Sequence, residues 1–376
     1  GQSFAKAFDA VSAQLRAGQT VTPQPFFENQ LPNYDANACS GATGSATACL
    51  ATQGNGSLFL QGLTASTFQT MDLYRSTSVA NGGAGLPSYD NLEAVLSELR
   101  TYVGTSNYNG LIINLQKKTS KGLTFQANYT FSKSLDEGLI NQDNAGYFNN
   151  SFYPKASYGP SLYDRKNSFT GLYVYQLPVG EGQRFRTGSA FVNRLIGGWD
   201  WSGVFTAYSG LPLVVGESSE VWGVSGLIGG TVAAIPTVNP SSLNASVHSF
   251  PGPSGFPPTL NIFADPTKAL ASFRDINLST DKRDGAGNPL RGLGMWNYDM
   301  SVHKDTKFGE RYSLDFSAQF LNIFNHVNFI TPGLPASPDI LSLQSPQNFG
   351  VITNQFVPAN REAGSRWIEL GLRFSF

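Results

Sequence analysis

From Asn107 to the end of the chain, apolar and polar residues take turns along short segments, the period of a strand with two unlike faces. Leu111, Ile113 and Leu115 alternate with Ile112, Asn114 and Gln116, and Thr119-Ser120-Lys121-Gly122 then turns the chain. Leu123, Phe125, Ala127, Tyr129 and Phe131 alternate strictly with Thr124, Gln126, Asn128, Thr130 and Ser132. Phe169, Gly171, Tyr173, Tyr175 and Leu177 form one face of a strand ending at Pro178, and Trp199, Trp201, Gly203, Phe205 and Ala207 form the next. Trp296, Tyr298, Met300 and Val302 oppose Asn297, Asp299, Ser301 and His303. After a tight Gly309-Glu310 turn, Tyr312, Leu314, Phe316, Ala318 and Phe320 oppose Ser313, Asp315, Ser317 and Gln319. At the C-terminus Ile368, Leu370, Leu372, Phe374 and Phe376 oppose Trp367, Glu369, Gly371, Arg373 and Ser375. The pattern predicts an all-β, antiparallel meander of about seven strands over 107–376.

Residues 1–106 follow a different rule. Phe4, Ala7, Phe8, Val11 and Leu15 recur at helical spacing, so the sequence predicts an amphipathic helix over about 3–18, stopped by Gly18. A second helix is expected from Asp90, with Glu93 completing a capping box and Leu92, Val95, Leu96 and Leu99 as its apolar stripe. Pro23, Pro25 and Pro32, then a Gly/Ser/Thr/Asn-rich stretch, separate the two. That stretch offers little core, so 1–106 reads as an external loop region with two short helices rather than as a helical domain.

The connections between strands alternate in length. Short turns fall at about 119–122, 179–196 and 309–310, and long Gly/Pro/Asn-rich loops at about 135–162, 212–295 and 325–363. Membrane β-barrels show this asymmetry, with short periplasmic turns and long external loops. Composition agrees: charged residues are 14 % of the chain, against about 25 % in a typical soluble domain. Aromatic residues reach 12 %, yet no apolar run approaches the roughly 20 residues of a membrane helix. A net charge of -1 gives no reason to expect nucleic acid as a partner. Gly1-Gln2-Ser3-Phe4-Ala5 has neither the basic start nor the apolar core of an export signal, so a mature or truncated chain is expected.

Several segments, taken in order, carry a family resemblance. They are Gly122–Asp136, Tyr163-Asp-Arg-Lys166, Leu172–Pro178, Gly197–Gly203, Leu321-Asn-Ile-Phe-Asn-His326 and the closing Arg-Phe-Ser-Phe. Together they resemble the C-terminal part of TonB-dependent outer-membrane receptors of the Oar-like type, which carry a carboxypeptidase-regulatory-like domain. The resemblance implies bacterial outer-membrane localisation and a 22-stranded barrel, of which residues 107–376 would form an open C-terminal segment. It also implies uptake of an unidentified ligand (carbohydrate, peptide or chelate), with TonB acting only through an N-terminal plug that this sequence lacks. Other implied partners are outer-membrane lipid, the missing barrel strands and the barrel-assembly machinery, which would read Phe374 and Phe376 as an assembly signal. A surface adhesion or structural protein whose loops bind partners is the alternative. Bacterial single-chain barrels use eight or more strands, so seven are expected to leave the sheet open, as part of a longer receptor or of an oligomeric barrel.

Candidate chemistry is sparse. Cys39 and Cys49 bracket a Gly/Ser/Thr loop, a spacing that suits a local disulfide in an oxidising compartment, with two free thiols as the alternative. Asp164, Arg165 and Lys166 open a strand after a long loop and read either as an ion-pair network anchoring the rim or as ligand contacts. Loop aromatics Phe148, Phe152, Tyr153 and Tyr158 offer stacking surfaces. His248, His303 and His326 lack metal-ligand spacing, and Asp281 to Asn288 reads as a plain turn rather than a calcium loop. No nucleophile or phosphate-loop motif is present, so neither an enzyme nor a cofactor is expected.

Overall fold

The computed structural model describes all residues except 33–43, 53–55, 90–102, 121, 138–149, 151–152, 218–220, 223–231, 253–257, 310, 331–340 and 359–363. Seven long strands follow one another in sequence order, each antiparallel to the last. They are β1 (Ser106–Ser120), β2 (Leu123–Asp136), β3 (Asn167–Gln176), β4 (Trp199–Tyr208), β5 (Met295–Phe308), β6 (Tyr312–Leu321) and β7 (Trp367–Ser375). The two-residue strand Gly159–Pro160 adds to the end of β2. Among the described residues β1 and β7 do not pair with each other, so the sheet is open.

Register joins the separate alternations into two continuous faces. Leu111 pairs with Phe131, Ile113 with Tyr129, Phe125 with Tyr173, Tyr175 with Trp201 and Trp201 with Val302. Val302 then pairs with Ala318, and Ala318 with Leu370. The opposite face carries Asn114–Asn128, Gln126–Leu172, Thr170–Thr206, Ser202–Ser301, His303–Ser317 and Asp315–Arg373. A slip of one residue in any strand would exchange the faces there, so the seven pairings support one another. The apolar face lies bare: Leu370 is 72 % exposed and Leu372 71 %.

Two glycines serve this sheet directly. Gly122 takes φ +77° in the link from β1 to β2, a left-handed conformation that costs glycine little. Gly203 leaves room for the Tyr173 ring, which a Cβ there would meet at 2.8 Å. Tyr173 thereby reaches across β4 to hydrogen-bond the Tyr298 hydroxyl at 2.6 Å. The link from β3 to β4, expected as a short turn over about 179–196, contains helix Ala190–Ile196.

The N-terminal region holds more helix than its pattern predicts. α1 spans Phe4–Arg16 with Ser3 as N-cap, near the expected bounds. Among the described residues four further α-helices follow: α2 (Pro25–Gln30), α3 (Ala46–Thr52), α4 (Ser57–Leu60) and α5 (Thr64–Ser76). The helix expected from Asp90 lies outside the described residues. α5 escapes apolar periodicity because its buried face includes Thr64 and Thr67. The Thr67 hydroxyl donates to the Leu63 carbonyl at 2.7 Å and Thr70 donates to Ser66 at 2.8 Å, so these polar groups are satisfied within the helix. Contrary to the expectation of little core, Phe8, Val11, Phe27, Leu50, Phe59 and Met71 pack together fully buried.

The loops that follow β4 and β6 also build a core. Leu213, Ile262, Phe263, Leu290, Leu341 and Phe349 are each almost completely buried, with Phe263 stacked on Phe349 at 5.5 Å. Short strands Thr259–Asn261 and Val351–Ile352 pair across the two loops. The meander places both loops, the β2–β3 loop and the start of β1 at one end of the sheet, with the three shorter links at the other. The helices attach to the loops through Asp9, which accepts from the Leu278 and Ser279 amides at 2.9 and 2.8 Å.

Candidate ligand-binding rim

The residues best placed to meet a ligand lie where the long loops leave the sheet. Asp164 is buried, its chain turned by its own N–H donating to the Ser161 carbonyl at 2.8 Å. Its Oδ1 accepts from the Ser134 amide at 2.7 Å, and the Ser134 and Ser161 hydroxyls meet at 2.9 Å. Its Oδ2 is ion-paired with Arg291, which also donates to the Asp164 carbonyl at 2.9 Å. The carboxylate thus ties the C-terminal end of β2, the loop before β3 and the loop before β5 together. Arg291 was not singled out by sequence, because it lies 127 residues from its partner.

Its two neighbours behave differently. Arg165 donates to the Ser209 carbonyl at 2.9 Å and lies over the Tyr208 ring at 5.1 Å, an anchoring geometry. Burial lowers its pKa from the ordinary arginine value. Lys166 is exposed. It borders a cleft of about 720 Å³ with Lys133, Asp164, Arg291, Ser241 and Asn244. Lys133 and Lys166 are exposed, while Asp164, the one carboxylate among the described lining residues, is already paired with Arg291. The cleft therefore has a positive margin and suits an anionic or polyhydroxyl group. Of the loop aromatics, Phe148 and Phe152 lie outside the described residues, and Tyr153 is 39 % exposed.

The other sequence-derived residues are dispersed. Cys49 is buried in α3, and Cys39 lies outside the described residues. Phe374 stacks on Tyr312 at 5.8 Å and on Phe376 at 6.2 Å, and Phe376 is 93 % exposed at the short-turn end. His303 Nε2 meets Asp315 at 2.9 Å on the polar face, and His326 stacks on Trp296 at 4.1 Å between ring centroids. Asp281 is paired with Arg274 at 2.6 Å, and Asp284 caps a short turn while accepting from the Ser157 hydroxyl at 2.6 Å.

A second charged cluster, unforeseen from sequence, sits where α1 meets the β4–β5 loop. Arg16 pairs with Asp275 at 3.1 Å, and the Ile276 amide donates to Glu217 Oε2 at 2.9 Å. Burial pushes the Glu217 carboxyl up to about 8, with repulsion from Asp275 adding to the effect; the Ile276 amide, Arg16 and Arg274 oppose it. Asp275 is also raised, chiefly by burial.

No curated protein and no solved structure gives a significant match to the chain. A family model does. It covers residues 24–368, from the start of α2 into β7, and describes an outer membrane beta barrel domain. The bare apolar face, the polar opposite face and the one-ended loops are what a bacterial outer membrane requires of such a domain. The chain belongs to the outer membrane beta barrel domain family.

Proposed function

We propose that this chain is the C-terminal barrel portion of a TonB-dependent receptor that takes up an unidentified carbohydrate, peptide or chelate. The observation that carries this reading is the face rich in amides, hydroxyls and charges, broken by Ile112, Leu172, Val174 and Val204, which runs from Asp315 and Arg373 near the short-turn end to Asn297 and Ser168 near the rim cleft. A polar inner wall beneath a structured external rim is the arrangement of a transport barrel. The two edges, open among the described residues, support it as well. Unpaired backbone groups at membrane depth cost several kcal/mol each, so further strands must pair with β1 and β7. In this reading those strands and the plug come from the rest of a longer receptor, and TonB acts through that plug. The positive margin formed by Lys133 and Lys166 favours a ligand with an anionic group.

The helical cluster and loop core favour a second reading, surface adhesion, because they form a larger folded mass than a channel rim needs. One comparison separates the two. Cells lacking this protein and cells lacking TonB should leave the same compounds unconsumed in the medium, measured by mass spectrometry. If loss of the protein changes attachment but leaves every compound consumed, adhesion replaces transport.

A further inference from the structure

The short-turn end carries a helix built the wrong way round for a protein core. α6 (Ala190–Ile196) buries its polar Asn193, which is tied to Thr187 by hydrogen bonds of 2.6, 2.8 and 2.9 Å. Its apolar side chains point outward: Phe191 is 77 % exposed, Leu195 61 % and Val192 37 %. At helical spacing Phe191, Val192, Leu195 and Ile196 fall within one arc, so they form a single apolar stripe.

The helix is fixed to the sheet. Lys304 of β5, itself buried, donates to the carbonyls of Arg194 and Leu195 and lies over the Trp199 ring at 4.9 Å. The Trp199 indole N–H donates to the Leu195 carbonyl at 3.3 Å. Those carbonyls are among the last of α6, and a cation there suits a helix C-terminus. Lys304 and Trp199 are cross-strand partners, and they share the apolar face with Val302 and Phe316. α6 therefore continues the lipid-facing surface at its short-turn margin.

Charge completes the pattern. Arg184, Arg186 and Arg194 are exposed beside this stripe, with Glu181 the only acidic residue between 181 and 196. Phe185, between two of the arginines, is 56 % exposed and held by its amide donating to the Pro178 carbonyl at 3.0 Å. An exposed apolar stripe flanked by cations is the chemistry of a helix lying in the plane of a membrane interface.

We propose that the β3–β4 connection is an interfacial anchor. Phe185, Phe191, Val192 and Leu195 enter the periplasmic leaflet at the barrel margin, while Arg184, Arg186 and Arg194 hold the phosphates of anionic phospholipids. The side of the membrane rests on the transport-barrel reading; contact with lipid rests only on the lipid-facing sheet.

The test places a photo-crosslinking benzoylphenylalanine at Phe191 in the intact protein. The protein is reconstituted in phosphatidylethanolamine vesicles with or without phosphatidylglycerol, and adducts are identified by mass spectrometry. The expected result is a phospholipid adduct that rises about threefold with phosphatidylglycerol. That rise should vanish when Arg184, Arg186 and Arg194 are all replaced by Gln. These arginines are exposed, so the triple variant is expected to fold. Absence of a lipid adduct overturns the anchor, as does an adduct in cells confined to protein. A lipid adduct indifferent to phosphatidylglycerol overturns the assignment of the arginines. If transport fails its own test, the crosslink still decides this proposal.

Discussion

Substituting Asp164→Asn tests whether the buried carboxylate holds the rim together. The asparagine oxygen can still accept from the Ser134 amide, which lies 2.7 Å from Oδ1. The Arg291 ion pair is lost, and an amide N–H₂ would face a guanidinium that also only donates. Removing one partner of a fully buried pair costs about 3–5 kcal/mol. Arg291 is 38 % exposed and can rehydrate, so the expected cost is lower. About 2 kcal/mol is a reasonable value, the size of one hydrogen bond to a charged group. That corresponds to roughly 30-fold more frequent local opening. Hydrogen exchange of the Ser134 and Ser161 amides in the reconstituted protein reads it directly, since both bond within this knot. Arg291→Met should accelerate the same amides, and the double variant should add little to either single change. Exchange within about twofold of the parent protein would refute the role given to Asp164.

Other outcomes follow from the same geometry. Glu217 binds its proton more tightly folded than unfolded, so its contribution is complete below about pH 4.5 and is lost as pH rises through about 8. The thermal midpoint should therefore fall between about pH 4.5 and pH 8 and level off above that, by the equivalent of a few kcal/mol at most, and Glu217→Gln should flatten that slope. An equal slope in the variant would remove Glu217 as its cause. Mass spectrometry of unreduced peptides should show Cys39 linked to Cys49; two alkylatable thiols in oxidised material would contradict the pairing. Deleting Phe376 from the intact protein should lower the amount assembled in the outer membrane, and undiminished assembly would leave this exposed aromatic without a signalling role.

All seven long strands were legible because a sheet between lipid and water sets a different chemistry on each side of every residue. Phe125 and Gln126 declare their faces with no knowledge of their neighbours, and register then only has to agree. The helical cluster was less legible. α1 shows an apolar stripe, whereas α5 buries Thr67, whose hydroxyl bonds back to the Leu63 carbonyl, and Thr64, whose hydroxyl donates to the Val221 carbonyl. α6 was hidden for the opposite reason, since its apolar residues face outward and its asparagine inward. The loop core joins Leu213, Phe263, Leu341 and Phe349 from distant segments without any local period. At the rim, Asp164 and Arg165 stood out within one short motif, but Arg291 and Lys133 meet them only through the fold.

The central claim is that one face of this sheet meets lipid and the other meets water. Nitroxide side chains placed singly in the reconstituted protein measure it by their collision rates with oxygen and with a water-soluble nickel complex. Positions 125, 316 and 372 should be reached by oxygen and shielded from nickel. Positions 126, 317 and 373 should be open to nickel. Lipid-like accessibility at Gln126, Ser317 and Arg373, with water at Phe125, Phe316 and Leu372, would contradict the account.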